Sequence, residues 1–149
     1  MKTKKQINQE LMIIHGLFPS NTTELIRETP FQLLIAVVLS AQSTDKQVNK
    51  ITSVLFQIIK NPQDIIELGL DKLKEAIKSI GFFNNKAKNI LTLSGQLLNE
   101  YNGIIPSSLA ELVKLAGVGE KTAKVVMHQL YEGQYIAVDT HVHRIANRL

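Results

Sequence analysis

The sequence predicts an all-α protein, and three observations carry that prediction. Apolar residues recur at helical rather than strand spacing along almost the whole chain. The breaks between them hold helix-cap chemistry, with Thr, Asp, Asn or Ser opening segments and Gly69, Gly81 and Gly103 closing three of them. Nine residues from Phe31 to Leu39 carry no charge, as a helix buried on every face requires.

The elements follow in order. A first amphipathic helix is predicted from about Thr3 to Leu17, with Ile7, Leu11 and Ile14 on one face, stopping before Pro19. Thr29 reads as an N-cap and Pro30 as the first turn of the uncharged helix, which is the expected centre of the fold. Thr44 and Asp45 open a helix whose stripe is Val48, Ile51, Leu55 and Ile58. Asn61-Pro62 starts a short helix closed by Gly69, and Asp71 starts another closed by Gly81. Asn84 or Asn85 precedes a longer helix through Ile90, Leu91, Leu97, Leu98 and Tyr101, closed by Gly103. Ser107 opens a helix through Leu109, Leu112, Val113 and Leu115, and a last helix is expected to begin at Asp139.

Composition narrows the classes. A chain of 149 residues, 44% apolar and 20% charged, suits one compact core and argues against extensive disorder. The net charge of +4 permits a polyanionic partner without diagnosing one. Between Asp71 and Ile90, five lysines (Lys72, Lys74, Lys78, Lys86 and Lys88) stand against two acids, which is either a solvated face or a phosphate-facing patch. There is no cysteine, which excludes disulfides and thiolate-held metals or clusters from this chain. His15, His128 and His143 have no ligand spacing, so no metal site is expected. No run has signal-peptide or membrane-spanning length, and the expectation is a cytoplasmic, nucleoid-associated monomer with no membrane partner.

The stretch from Leu115 to Ala123 is the most informative. Gly117 and Gly119, separated by Val118, let the backbone turn tightly into a helix N-terminus, where open amides and the positive end of the helix dipole attract phosphate. Val118 packs inward to hold the turn, while Lys121 and Thr122 add polar contacts. Gly-x-Gly by itself favours a plain connector between two helices.

Read further, LAGVGEKTAKVV from Leu115 to Val126 resembles the helix-hairpin-helix of base-excision DNA glycosylases, and three other segments resemble the endonuclease III family in the same order. These are Leu39–Asp45 (LSAQSTD), Ile80–Ala87 (IGFFNNKA) and Ala137–Arg144 (AVDTHVHR). The resemblance implies a helical barrel domain over residues 20–135, with the hairpin at about 107–131. Residues 1–19 and 136–149 are then parts of a second helical domain, expected to be incomplete. It implies bifunctional base-excision repair of double-stranded DNA, in which oxidised pyrimidines are removed and the abasic site is cut by β-elimination.

By the same resemblance Lys121 is the nucleophile. An amine attacking the anomeric carbon gives an adduct that opens to a Schiff base, and the imine is the electron sink for loss of the 3′ phosphate. Asp139 takes the amine's proton and faces the positive charge developing on the sugar. Without the resemblance, Asp139 reads as an N-cap, and both roles are compatible. A helix from Lys121 to Tyr131 spans roughly 16 Å, and an extended return from Glu132 to Val138 covers up to about 23 Å. That length suffices to bring Asp139 back beside Lys121.

Reaching a base inside a duplex requires everting its nucleotide. The resemblance sends Gln42 into the vacated stack and makes Phe82 the wedge on the opposite strand. Taken alone, Gln42 is a polar residue at a helix end and Phe82 a core aromatic. Ser40 and Asp45 are expected near the pocket, and His141 and Arg144 near backbone phosphates.

The chain departs from the family at two points. Members usually continue past the position of Leu149 with further helices and cysteines that hold a four-iron four-sulfur cluster, so the chain is expected to be a fragment or a truncation without that cofactor. Ala116 stands where proline is usual, which relaxes the hairpin turn. The related adenine-removing glycosylases lack the lysine and place an acid in the buried helix, where this chain has Ala36. The remaining alternatives are a non-catalytic helix-hairpin-helix DNA-binding module and an inactive truncated relic.

Overall fold

A computed structural model describes residues 3–17, 25 and 27–131, and every regular element among them is helical. Eight helices run in order: α1 (Lys4–Leu17), α2 (Pro30–Ser40), α3 (Asp45–Leu55), α4 (Pro62–Leu68), α5 (Leu70–Ile77), α6 (Phe83–Glu100), α7 (Leu109–Leu112) and α8 (Glu120–Tyr131). The chain divides into two compact units, Glu24–Ala137 and Met1–Thr23 with Val138–Leu149. Helix α1 belongs to the second of these and starts at a reciprocal cap, Thr3 Oγ1 accepting from the Gln6 amide and Gln6 Oε1 from the Thr3 amide. The expected facing of Leu11 and Ile14 lies outside the described residues, as does the helix expected from Asp139.

In the larger unit, α2 is the axis. Every residue from Phe31 to Leu39 is buried, including Gln32. Gln32 is tolerated because its amide is fully used. Oε1 accepts from the amides of Glu28 (2.6 Å) and Thr29 (3.3 Å), and Nε2 donates to the carbonyls of Phe56 (3.2 Å) and Ile59 (2.7 Å). One side chain thus caps α2 and ties it to the end of α3. Thr29 completes the capping box, with Pro30 in the first turn.

Helices α3, α6 and α8 pack on α2, while α4 and α5 pack on α6. The stripe of α6 is Lys86, Ile90, Leu93 and Leu97, a lysine followed by three aliphatic residues, all buried. Each of those aliphatic side chains contributes about 1.5–3 kcal/mol by leaving water.

Several element ends differ from the sequence reading. Helix α3 stops at Leu55, the chain turns through Phe56–Ile58, and Ile58 is 59% exposed while Ile59 is buried in its place. Gly69 at φ +81° both closes α4 and precedes α5, so α5 starts at Leu70 rather than Asp71. Helix α6 starts at Phe83, ahead of the asparagines, because Phe82 takes the N-cap position in the left-handed conformation. Helix α7 is a single turn from Leu109, and Val113 is exposed.

Candidate nucleic-acid interface

Three loops carry those residues singled out from the sequence that fall within the described part of the chain, and α6 contacts or follows each of them. The first is the turn between α2 and α3. Helix α2 ends at Ser40, whose hydroxyl donates back to the Val37 carbonyl at 2.8 Å. Gln42 follows, exposed and at φ +59°. Thr44 then caps α3 by accepting from the Gln47 amide, and half-buried Asp45 sits in the first turn, where the helix dipole favours a carboxylate.

The second loop leads into α6. Phe82 is at φ +59° and its side chain is 67% exposed, which corrects the core-aromatic alternative. Non-glycine residues avoid the left-handed region, and when such strain persists the surroundings must impose it. Among the described residues only one other non-glycine residue has positive φ, Asn102. Its case is ordinary, since asparagine tolerates that conformation and Gly103 N–H closes the end of α6 on the Leu97 carbonyl at 2.7 Å. Gln42 is the second central residue of a turn closed by the Ser43 amide on the Ser40 carbonyl at 3.0 Å, and Phe82 is the N-cap of α6; these are the two residues expected to enter DNA.

These two turns are tied together. Lys86 in the first turn of α6 sends its ammonium to the carbonyls of Leu39 (3.0 Å) and Ala41 (2.6 Å) and to Ser43 Oγ (3.4 Å). Gln47 Nε2 donates to the Ser79 carbonyl at 2.7 Å, joining the start of α3 to the stretch before Phe82. Lys86 is 8% exposed, so it is no part of a surface patch; this corrects its grouping with its lysine neighbours, of which Lys72, Lys78 and Lys88 are exposed. Burial pushes the Lys86 ammonium below the ordinary lysine range.

The third loop is the hairpin between α7 and α8. Val118 is buried, its amide donates to the Leu115 carbonyl at 3.1 Å, and Gly117 sits at φ +75°. Glycine is required there twice over, because a β carbon would also fall 2.8 Å from Asn89 Cβ of α6. Gln96, two turns further along α6, donates to the Lys114 carbonyl (3.1 Å) and accepts from the Ala116 amide (2.8 Å). That brace supports the turn at Ala116, where a proline ring is lacking.

Gly119, Glu120 and Lys121 are exposed at the start of α8, and Thr122 is half-buried. The first amides of a helix have no partner within it, so this end offers donors and a positive dipole to an anion. Glu120 is engaged by Lys124 at 2.7 Å, and that ion pair holds its carboxyl below the usual range. Asp139, His141 and Arg144 lie outside the described residues, as do His143 and the His15 side chain. No cluster of metal-ligating side chains occurs among the described residues. The chain has no cysteine, so its residues do not fit an iron–sulfur cluster. No helix among the described residues is long and apolar enough to cross a membrane.

Sequence reasoning missed Lys86, Gln47, Asn89 and Gln96 as the supports of these loops. For Lys86 a signal existed, since it occupies an apolar-stripe position, four residues before Ile90 and seven before Leu93. The other three depend on which loops approach which helix.

Comparison with known proteins bears on the family and the all-helical fold. Residues 35–149 match the HhH-GPD superfamily base excision DNA repair protein model. The chain is 52% identical over 130 residues to endonuclease III of Haemophilus influenzae and 48% identical over 149 residues to that of Bacillus subtilis. Those alignments cover 87% and 100% of this chain and 62% and 68% of the relatives, so the chain spans about two thirds of their length. A solved trapped endonuclease III–DNA covalent intermediate, an estranged-adenine complex, superposes with a TM-score of 0.94 at 48% identity, covering 100% of this chain and 70% of that one. With three loops braced on one helix and sequence identity near one half, the chain belongs to the endonuclease III family of HhH-GPD base excision DNA repair proteins.

Proposed function

We propose that this chain is a bifunctional DNA glycosylase and abasic-site lyase acting on double-stranded DNA that contains oxidised pyrimidines. The observation that carries the reading is the pairing of two exposed, left-handed residues, Gln42 and Phe82, on loops tied together beside a phosphate-type hairpin. Such an arrangement suits insertion into a base stack from one side while the hairpin holds the backbone. The trapped covalent complex solved for a relative supports the same chemistry.

In this reading the Lys121 amine, exposed in the first turn of α8, attacks the anomeric carbon and the base leaves with the bonding pair. Asp139 takes the proton released from nitrogen and stabilises the sugar's positive charge. The adduct opens to an imine, a proton is lost from the adjacent sugar carbon, and the 3′ phosphate departs. Gly117, Gly119 and Thr122 contact phosphate, with Val118 packed beneath the turn. Ser40 and Asp45 border the pocket, and His141 and Arg144 contact backbone phosphates. The protein works as a monomer, associated with the nucleoid, and no step runs through a cluster.

Borohydride reduction in the presence of abasic-site duplex tests the proposal. A covalent protein–DNA adduct that Lys121→Ala abolishes is expected. Retardation of the DNA with no adduct would instead identify a binding module without catalysis.

A further inference from the structure

We infer that Lys86 is a positioning residue that locks the Gln42 turn to the Phe82 turn, so that the two probes enter a damaged duplex as one preassembled unit. This rests on the reading of Gln42 and Phe82 as DNA-entering residues.

The geometry is that of a built clamp. An ammonium has three donors, and here three acceptors surround it, the Leu39 and Ala41 carbonyls and Ser43 Oγ. The acceptors bracket Gln42 on both sides in sequence. Lys86 itself lies one helical turn after Phe82, and its amide donates to the Phe82 carbonyl at 3.0 Å. A single side chain therefore reaches from the backbone turn that presents Phe82 to the turn that presents Gln42. Its charge is placed where it is best tolerated, at the C-terminal end of α2, which carries partial negative charge. Gln47 to Ser79 is the second tie across the same gap.

Holding both turns matters because each displays a side chain in a conformation it does not favour. Released from the clamp, Gln42 and its neighbours relax toward ordinary backbone angles, and the ordering then has to be supplied at the moment of binding. A purely structural cap of α2 would act differently: its loss would lower stability and weaken binding to all DNA alike.

The test compares affinity for a duplex holding a tetrahydrofuran abasic analogue with affinity for the same intact duplex, on the full chain, beside thermal unfolding. Lys86→Met is expected to lower the abasic-to-intact ratio at least about tenfold, and Lys86→Arg to restore much of it. Gln47→Ala, a half-buried polar change that does not disturb the core, is expected to lower the ratio severalfold and keeps the test decisive should Lys86→Met fold poorly. An unchanged ratio in Gln47→Ala and in folded Lys86→Met would overturn the proposal. Because the readout is binding, it separates from the catalytic reading. A wild-type chain that discriminates but traps nothing defeats the chemistry alone, and one that traps but does not discriminate defeats the positioning role alone.

Discussion

Asn89 Cβ stands 2.8 Å from where a β carbon on Gly117 would lie, so the hairpin and the middle of α6 touch with no room for a side chain. The obstructing atom is the root of the asparagine side chain, which cannot swing away. Gly117→Ala therefore meets a clash and a left-handed backbone together. It is expected to lower stability by about 1–3 kcal/mol and to weaken binding to intact and abasic duplex alike, as measured by denaturant titration and by DNA retardation. A variant with native stability and native binding would show that the hairpin is not seated on α6.

Gln32 makes a second prediction. Gln32→Leu keeps approximate volume but leaves the buried carbonyls of Phe56 and Ile59 and the amides of Glu28 and Thr29 without partners. The cost expected is about 2–4 kcal/mol, visible as a lower denaturation midpoint. A loss below about 0.5 kcal/mol, the range of ordinary surface changes, would contradict the buried network.

Phe82 separates function from stability. Its ring is exposed and its backbone strained, so Phe82→Gly should leave stability within about 1 kcal/mol of the parent while abasic-site discrimination falls about tenfold, as for loss of one stacking contact. Thermal unfolding and abasic-duplex binding measure the two effects. A clear loss of stability would mean the ring is part of the core after all.

Tyr101, Glu111 and Lys114 predict a pH dependence. Tyr101 donates to Glu111 Oε2 at 2.5 Å, and Lys114 holds Glu111 Oε1 at 2.8 Å. The hydrogen bond to Glu111, with partial burial and the carboxylate's charge, pushes the Tyr101 phenol from 10.0 up to about 12. A phenol raised on folding favours the native state below its unfolded value, so this contribution is present below pH 10.0 and is lost as pH climbs toward 12. Glu111 has the opposite sign. The hydrogen bonds from Lys114 and then Tyr101 hold it below 4.5, so its contribution is present above that value and fades as pH falls through the lowered one. Burial raises the Tyr131 phenol as well, so phenolate absorbance should show late-titrating tyrosines of which only the Tyr101 component moves earlier in Glu111→Ala. Unmoved titration would contradict the contact.

How much of this was readable in the residues differs from element to element. Thr29-Pro30 and Asn61-Pro62 announced α2 and α4 because cap chemistry is local, and the cap ahead of nine uncharged residues marked them as a buried helix. The end of α3 was not legible. Ile58 fits the helical stripe, but the chain turns after Leu55 so that the Phe56 and Ile59 carbonyls can meet Gln32, a constraint from 24 to 27 residues away. The start of α6 was missed because a phenylalanine is an unusual N-cap, and only the tertiary clamp makes it one. In the candidate site, the resemblance pointed to Gln42, Phe82, Gly117 and Val118, of which the structure shows the turn conformations and the burial of Val118. Their supports were not legible, because Gln96 meets Ala116 and Gln47 meets Ser79 only once the helices pack.

The measurement that bears most directly on the chemistry is to locate the adduct. After borohydride trapping on abasic duplex, proteolysis and mass spectrometry should find the reduced sugar remnant on the peptide containing Lys121. The same mass on the N-terminal amine or on another lysine, with Lys121 unmodified, would contradict the assignment of the nucleophile.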